Sequence, residues 1–252
     1  MSNHVLKIDA HTHIGTWPPE TDDIHHFSVS IDFHETKIIE AGLDYAVVFA
    51  TPYGPTNIHL MDNHSDNQIF FYWVTPFNYN ELESFDATRI KGLKFHPSHN
   101  KTPITEKELI PFIIWAEQNH CPFIIHAGRW QEISGYSKIL EVAENYNCNF
   151  IIAHMGGITQ KLKDQTSIDI AKKGLDNVYI ETSSCLPLPN DFKNETGCSK
   201  TLFQKIVNRI GTEHILFGSD FPFFEIKESM KFIIDATDEY RILGENLANI
   251  IN

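Results

Sequence analysis

A single (β/α)8 (TIM) barrel spanning residues 1–252 is the fold the sequence predicts. Two observations carry it: eight short runs rich in apolar, β-branched and aromatic residues, and helical signals in the stretches between them. The runs are 6–10, 45–50, 70–75, 90–95, 122–125, 150–153, 178–180 and 215–217. Several are nearly continuous in apolar character, as parallel strands covered on both faces must be. Of the helices, 105–119 is announced by Thr105 and Glu108 at capping-box spacing ahead of Leu109, Phe112, Ile113 and Ala116. Helices over 32–41 and 199–210 run into Gly42 and Gly211, where a left-handed C-terminal cap is preferred. An open doubly wound sheet is the alternative, but no glycine-rich dinucleotide or phosphate fingerprint supports it.

Composition narrows the functional classes. Thirty-three acidic against 20 basic residues give a formal charge of -13, and no Lys/Arg stripe could follow a phosphate backbone, so nucleic acid is an unsuitable partner. No stretch reaches the roughly 18 apolar residues of a membrane span, and residues 1–9 lack the apolar core of a signal peptide. The expectation is a soluble, cytoplasmic protein. Cys121, Cys148, Cys185 and Cys198 form no CxxC pair and are expected as reduced, mostly buried thiols. Of the 14 histidines, His4, His25, His26, His34, His59, His64, His120 and His214 fall in loops or at element edges, and surface roles are expected for them.

The remaining histidines carry the chemistry. His11 and His13 lie two apart at the end of the first strand, so strand alternation sends both to one side, where they can share one ion. His126 ends the fifth strand, His154 the sixth and Asp220 the eighth. In a parallel barrel those ends converge on one mouth, and imidazole with carboxylate is the donor set of a zinc-like divalent ion. The long connections 14–30, 51–68 and 183–200 all follow strands and would rise around the same mouth.

The motifs together are His-x-His after strand one, Gly-Leu-Lys94-Phe-His96-Pro after strand four, His-Ala-Gly after strand five and Ala-His-Met-Gly-Gly after strand six. Glu-Thr-Ser follows strand seven and Phe-Gly-Ser-Asp-Phe-Pro strand eight. This pattern resembles the amidohydrolase superfamily, closest to the amidohydrolase-related branch that includes aminocarboxymuconate semialdehyde decarboxylase. The resemblance runs from Asp9 to Asn246 and is specific for the superfamily, not for a substrate. It implies that His11, His13, His126 and Asp220 hold one metal, most simply zinc, with His154 acting beside it. In binuclear branches a fourth-strand lysine is carboxylated and bridges two metals, so Lys94 is either such a bridge or an ordinary cation paired with a carboxylate.

Other residues keep two readings. His96 shares the face of Lys94 and lines the pocket or is structural; Glu181 orients a ligand histidine or pairs with Lys94. Arg129 and Trp130 follow His126 on a loop expected over the site, with Arg129 clamping a substrate carboxylate or making a surface ion pair. Cys185 has no basic partner in sequence and is expected to be a bystander. The expected activity is hydrolysis of an amide, lactone or ester of a small organic acid, with Asp220 and His154 handling protons. Nonoxidative decarboxylation of an aromatic or unsaturated carboxylate is the alternative, and a noncatalytic metal-binding barrel a third. A small molecule is the expected partner, and a homodimer is compatible with the sequence although no residue requires one.

Overall fold

The computed structural model describes residues 4–17, 27–128, 130–188 and 195–251. Among these, ten strands occur: β1 (Ile8–Trp17), β2 (Phe27–Val29), β3 (Tyr45–Ala50), β4 (Gln68–Phe70), β5 (Tyr72–Val74), β6 (Leu93–Phe95), β7 (Phe123–Ile125), β8 (Phe150–Ile152), β9 (Val178–Glu181) and β10 (Ile215–Leu216). β4 and β5 are halves of one barrel strand interrupted at Phe71, whose N–H donates to Val48 O while Tyr72 N–H donates to Gly92 O. From β1 through β3, the β4/β5 strand and on to β10, each strand lies parallel beside the next. The ring closes where Ala10 N–H donates to Phe217 O (2.8 Å) and Asp220 N–H to His11 O (2.9 Å). β2 stands outside the ring, antiparallel on the end of β1.

Strand alternation divides the apolar residues into two packed layers. Ala46 and Val48, Phe123 and Ile125, Phe150 and Ile152, and Val178 and Ile180 face outward into the layer shared with the helices. Val47, Phe71, Trp73, Ile124, Ile151 and Leu216 fill the barrel interior. Each such fully buried side chain contributes on the order of 2 kcal/mol through apolar area removed from water. The interior is therefore a solid apolar plug that ends below the C-terminal mouth, where the polar residues begin.

Helix Ile31–Ala41 forms as the sequence predicts: Ser30 Oγ accepts from Phe33 N–H at 3.2 Å, and Gly42 ends it at φ 71, ψ 32. Elsewhere boundaries differ. The expected capping box at Thr105 is not the helix start; a 3-10 turn over Lys107–Leu109 leads into helix Ile110–Gln118, with a proline in its first turn. Pro111 tolerates that position because its missing N–H would be unpaired there anyway. Gly211 has positive φ but ψ 146, so it leaves helix Lys200–Ile210 extended rather than left-handed. The first strand runs on through Trp17, because Gly15, Thr16 and Trp17 pair with Val29, Ser28 and Phe27. The 51–68 connection contains helix Asn57–Asn63.

Candidate metal centre

Three of the site's side chains reach the barrel interior by alternation alone. Lys94 sits between outward-facing Leu93 and Phe95, His126 lies two residues past inward Ile124, and Glu181 two past Tyr179. His11 and His13 need an extra device. Ile8 and Ala10 already point inward, so strict alternation would turn the two histidines out. A β-bulge intervenes: the register moves from Asp9↔Ala46 to Thr12↔Val48, setting two residues against one. Asp9 holds the bulge, its Oδ1 accepting His11 N–H (3.0 Å) and Ser219 N–H (2.9 Å).

Thr12 then faces outward, and its hydroxyl donates to Val47 O at 2.5 Å and accepts from His34 Nε2 at 2.8 Å. The expectation of a surface role for His34 is corrected here: it is fully buried, and Gln68 Nε2 donates to its Nδ1 at 3.0 Å. Burial lowers the His34 imidazole to about 3. Its position on the inward stripe of helix Ile31–Ala41 explains the burial, since Ile38, one turn on, is buried too.

His154 is the other residue that alternation would misplace. It follows inward Ala153, and a left-handed backbone at His154 (φ 56) and Met155 (φ 54) turns it back over the mouth. Asp220 is also left-handed, at φ 64.

The functional atoms converge closely. Asp220 Oδ1 lies 3.2 Å from His13 Nε2 and 3.4 Å from His11 Nε2. Lys94 Nζ approaches His11 Nε2 at 3.2 Å and stands 4.5 Å above the Phe49 ring. Glu181 lies beneath, receiving His11 Nδ1 (2.9 Å), His154 N–H (2.7 Å) and Ser183 N–H (2.7 Å). His126 is turned toward His154, Nδ1 to Nε2 at 2.9 Å, and stacks on His96 at 3.8 Å between centroids. Thus His11, His13 and Asp220 form one cluster of closely spaced donor atoms and His11, His154 and Glu181 a second, while His126 belongs to neither. His96 Nδ1 accepts from His99 N–H at 3.3 Å and so starts the short helix Pro97–Asn100.

Burial, the largest influence, drives His11, His13, His126 and His154 well below the usual imidazole range, leaving ring lone pairs available near neutral pH. It also pulls the Lys94 ammonium down to about 8, against Glu181 and Asp220, which hold it up. Asp220 is raised well above the usual carboxylate range by burial and by Glu181. The imidazoles of His11 and His13 and the carboxylate of Asp220 bring three donor atoms within 4.8 Å of one another, a donor set that fits a divalent metal.

Several contributors were not singled out from sequence. Ser183, two residues past Glu181 on the same face, contacts both Glu181 and His154 through Oγ at 2.7 Å. Gly218 is required because a Cβ there would lie 2.4 Å from Glu181 Oε2 and 3.1 Å from His11 Cβ. At Gly128 a Cβ would lie 2.4 Å from His126 Nε2. Above His13, Phe223 (6.0 Å), Trp17 and His99 form an aromatic wall, with Trp17 packed 5.9 Å from Phe223 and 4.7 Å from His99. Trp130 is 55% exposed and stands at the start of helix Gln131–Ser134, and Arg129 lies outside the described residues. Cys185 is buried, its Sγ 3.3 Å from Met155 Sδ.

Comparison with known proteins identifies the family and the fold. A family model described as amidohydrolase matches residues 8–246, from the first barrel strand to the C-terminal turn. The chain belongs to the amidohydrolase family. It is an enzyme of that superfamily, and its fold recurs in solved structures. A putative 2-pyrone-4,6-dicarboxylic acid hydrolase from Pseudomonas putida superposes with TM-score 0.76 at 12% identity, covering 98% of this chain and 97% of that one. An amidohydrolase from Burkholderia multivorans with bound zinc gives 0.71 at 13%, covering 97% and 98%. The 5-carboxyvanillate decarboxylase of Sphingomonas paucimobilis gives 0.64 at 14%, covering 98% and 99%. At these identities the likeness is one of fold. No curated protein matches the amidohydrolase chain in sequence. No helix among the described residues is long and apolar enough to cross a membrane.

Proposed function

We propose that this amidohydrolase is a metal-dependent hydrolase of a small organic acid, cleaving a lactone, ester or amide bond. The observation that carries the reading is the meeting of His11 Nε2, His13 Nε2 and Asp220 Oδ1 within 3.2–3.4 Å contacts at the mouth of the barrel. These three would hold one divalent ion, zinc by donor type, with His126 at the end of β7 as the further ligand. Such an ion, when bound, polarises a carbonyl and makes a water acidic. Glu181 fixes the His11 ring by accepting Nδ1–H, so that Nε2 keeps its lone pair for the ion.

Asp220 is the proton carrier of the proposal. Its Oδ2 faces His154 Nδ1 at 3.9 Å, so a proton taken from water has a second basic group beside it on the way to the leaving group. Lys94, within reach of His11, acts in this reading as a buried cation rather than as a bridge between two ions. The family neighbours that act on carboxylic acids, one of them holding citric acid, support an acidic substrate. The four buried cysteines stand as free thiols, which fits a reducing, cytoplasmic setting.

Metal content per chain, measured after purification without chelators, tests the site. About one equivalent is expected in the wild type and in Lys94→Ala, falling steeply in His13→Ala. Two equivalents, with loss of one in Lys94→Ala, would replace the mononuclear reading by a lysine-bridged pair. A metal-loaded Asp220→Asn variant at full turnover would remove Asp220 from the chemistry.

The aromatic wall of Phe223, Trp17 and His99 favours a second reading, because a planar unsaturated acid would lie well against it. In that reading the same centre supports decarboxylation, as in the neighbours that decarboxylate 5-carboxyvanillate and 2,6-dihydroxybenzoate. Ring opening of lactones without gas release supports the hydrolase; carbon dioxide release from aromatic acids supports the lyase.

A further inference from the structure

We infer that Cys185 and Cys198 form a reversible dithiol–disulfide site, with Lys163 as the buried amine that activates it and a peroxide as its oxidant. The cluster makes no use of the metal-centre chemistry, so the hydrolase reading and this one stand or fall separately.

The two cysteines are brought together by the segments 185–188 and 195–198, which lie against each other. Cys198 N–H donates to Cys185 O at 2.8 Å, and Leu188 N–H donates to Thr196 Oγ1 at 3.0 Å. Gly197, at φ 70, lets the segments close, because a Cβ there would lie 2.8 Å from Pro187 N. A backbone bond between two residues sets their Cα atoms roughly 5–6 Å apart, within the span that a disulfide bridges. The side chains meet as well, each thiol being the other's hydrogen-bond partner. Helix Gln160–Lys173 seats the arrangement, since Gln160 N–H donates to Glu195 O at 2.9 Å. The same helix carries Lys163, which is fully buried and donates from Nζ to Gly157 O at 2.6 Å. Burial lowers the Lys163 ammonium to about 8, while Cys185, Cys198 and Glu181 hold it up. Cys185, without a basic partner in its own stretch of sequence, thus gains one from the preceding helix.

The two thiols are not equivalent. Burial, and then the bond to Cys198, push the Cys185 thiol well above its usual range; the bond from Cys185, helped by Lys163, brings the Cys198 thiol below it. Cys198 is also the more accessible, 8% exposed against 2% for Cys185. The thiolate is the nucleophile in thiol oxidation, so Cys198 reacts first. Its sulfur attacks one oxygen of hydrogen peroxide, the O–O bond breaks, and a sulfenic acid and a water form. Cys185 then attacks the Cys198 sulfur, and its proton leaves with the displaced hydroxide as a second water. Two thiols and one peroxide become one disulfide and two waters, and a thiol reductant reverses the change. Cys121 and Cys148 provide the contrast: Cys148 Sγ donates to Cys121 O at 3.5 Å, but burial pushes both thiols up, Cys121 to about 11. Ser183 and Ser184, which lead into Cys185, both touch His154, so a new bond at Cys185 acts on the support of that residue.

The test treats full-length protein, reduced and then freed of reductant, with hydrogen peroxide near neutral pH, followed by intact mass and peptide mapping. Loss of two hydrogens, located in a cross-linked Cys185–Cys198 peptide and reversed by dithiothreitol, is the expected result. Cys198→Ser is expected to abolish the cross-link, and the double variant Cys121→Ser, Cys148→Ser to keep it. Lys163→Met, which keeps the length of the side chain and removes its charge, is expected to slow disulfide formation roughly three- to tenfold. A cross-link at Cys121–Cys148 alone, sulfinic acid on Cys198 without a cross-link, or sulfoxide at Met155 with both thiols intact overturns the inference. An unchanged rate in Lys163→Met overturns the part given to Lys163. Should that variant fail to fold, alkylation of the wild type decides the point, because Cys198 is expected to react faster than Cys121, and the reverse order removes the activation. Neither metal nor substrate enters any of these measurements.

Discussion

Two sets of side chains meet at the barrel mouth by different routes. Lys94, His126 and Glu181 fall in step with the inward positions of their strands, and the two-residue period delivers them, while Asp220 sits past the end of its strand on left-handed backbone of its own. His11, His13 and His154 lie out of step. A bulge carries the first two inward after Ile8 and Ala10, and left-handed backbone carries the third. The in-step set costs the fold only the burial of its polar groups. The out-of-step set also requires a local distortion that something must hold, and Asp9 and Glu181 are what hold it, by accepting the backbone N–H groups of His11 and His154.

That contrast can be broken at the bulge. Asp9→Ala leaves the N–H groups of His11 and Ser219 buried without partners, and at about 1–3 kcal/mol each the expected loss is roughly 2–6 kcal/mol. Urea denaturation of the metal-free variant measures it, and an unchanged midpoint would mean that the bulge does not depend on Asp9. The in-step side can be stressed at Gly218→Ala. Its methyl would press on a Glu181 carboxylate pinned by hydrogen bonds and on the rigid His11 Cβ, so a smaller loss of about 1–3 kcal/mol is expected, with metal affinity falling alongside.

The buttress behind the bulge responds to acid. His34, lowered to about 3 in the folded protein from 6.5, stays neutral while the unfolded chain takes up a proton. The unfolded state thus binds more protons between those values, and stability, full above pH 6.5, falls with decreasing pH by about 1 kcal/mol per unit until about pH 3. Other buried histidines slope the same way, so the measurement is a difference. Between pH 7.5 and 5.5, His34→Gln should lose about 1 kcal/mol less than the wild type, and equal losses would assign the acid sensitivity elsewhere.

How much of this could be read beforehand follows the same division. All eight predicted runs lie over barrel strands, seven of them to within a few residues, because continuous apolar runs of that length have few other places to go. The first strand was read short, since Gly15-Thr16-Trp17 acquires strand geometry only by pairing with Val29, Ser28 and Phe27. His34 was read as a surface residue because a polar side chain near a helix start usually is one. Its partners Thr12 and Gln68 come from strands 22 and 34 residues away. Ser183 stood in a quoted motif without a role, since its use depends on two side chains that only the closed barrel brings to one oxygen.

By itself, the sequence determined the alternation of strand and helix, the inventory of imidazole and carboxylate groups, and their places at strand ends. These follow from local periodicity and residue chemistry, which need no partner. Only the tertiary structure decided that the His11–His13 pair faces inward, that His126 turns to His154, and that Glu181 is an orienting group filled with hydrogen bonds. Each of those depends on a bulge, a backbone handedness or a count of donors around a buried atom, and all three are set by chain segments far apart in sequence.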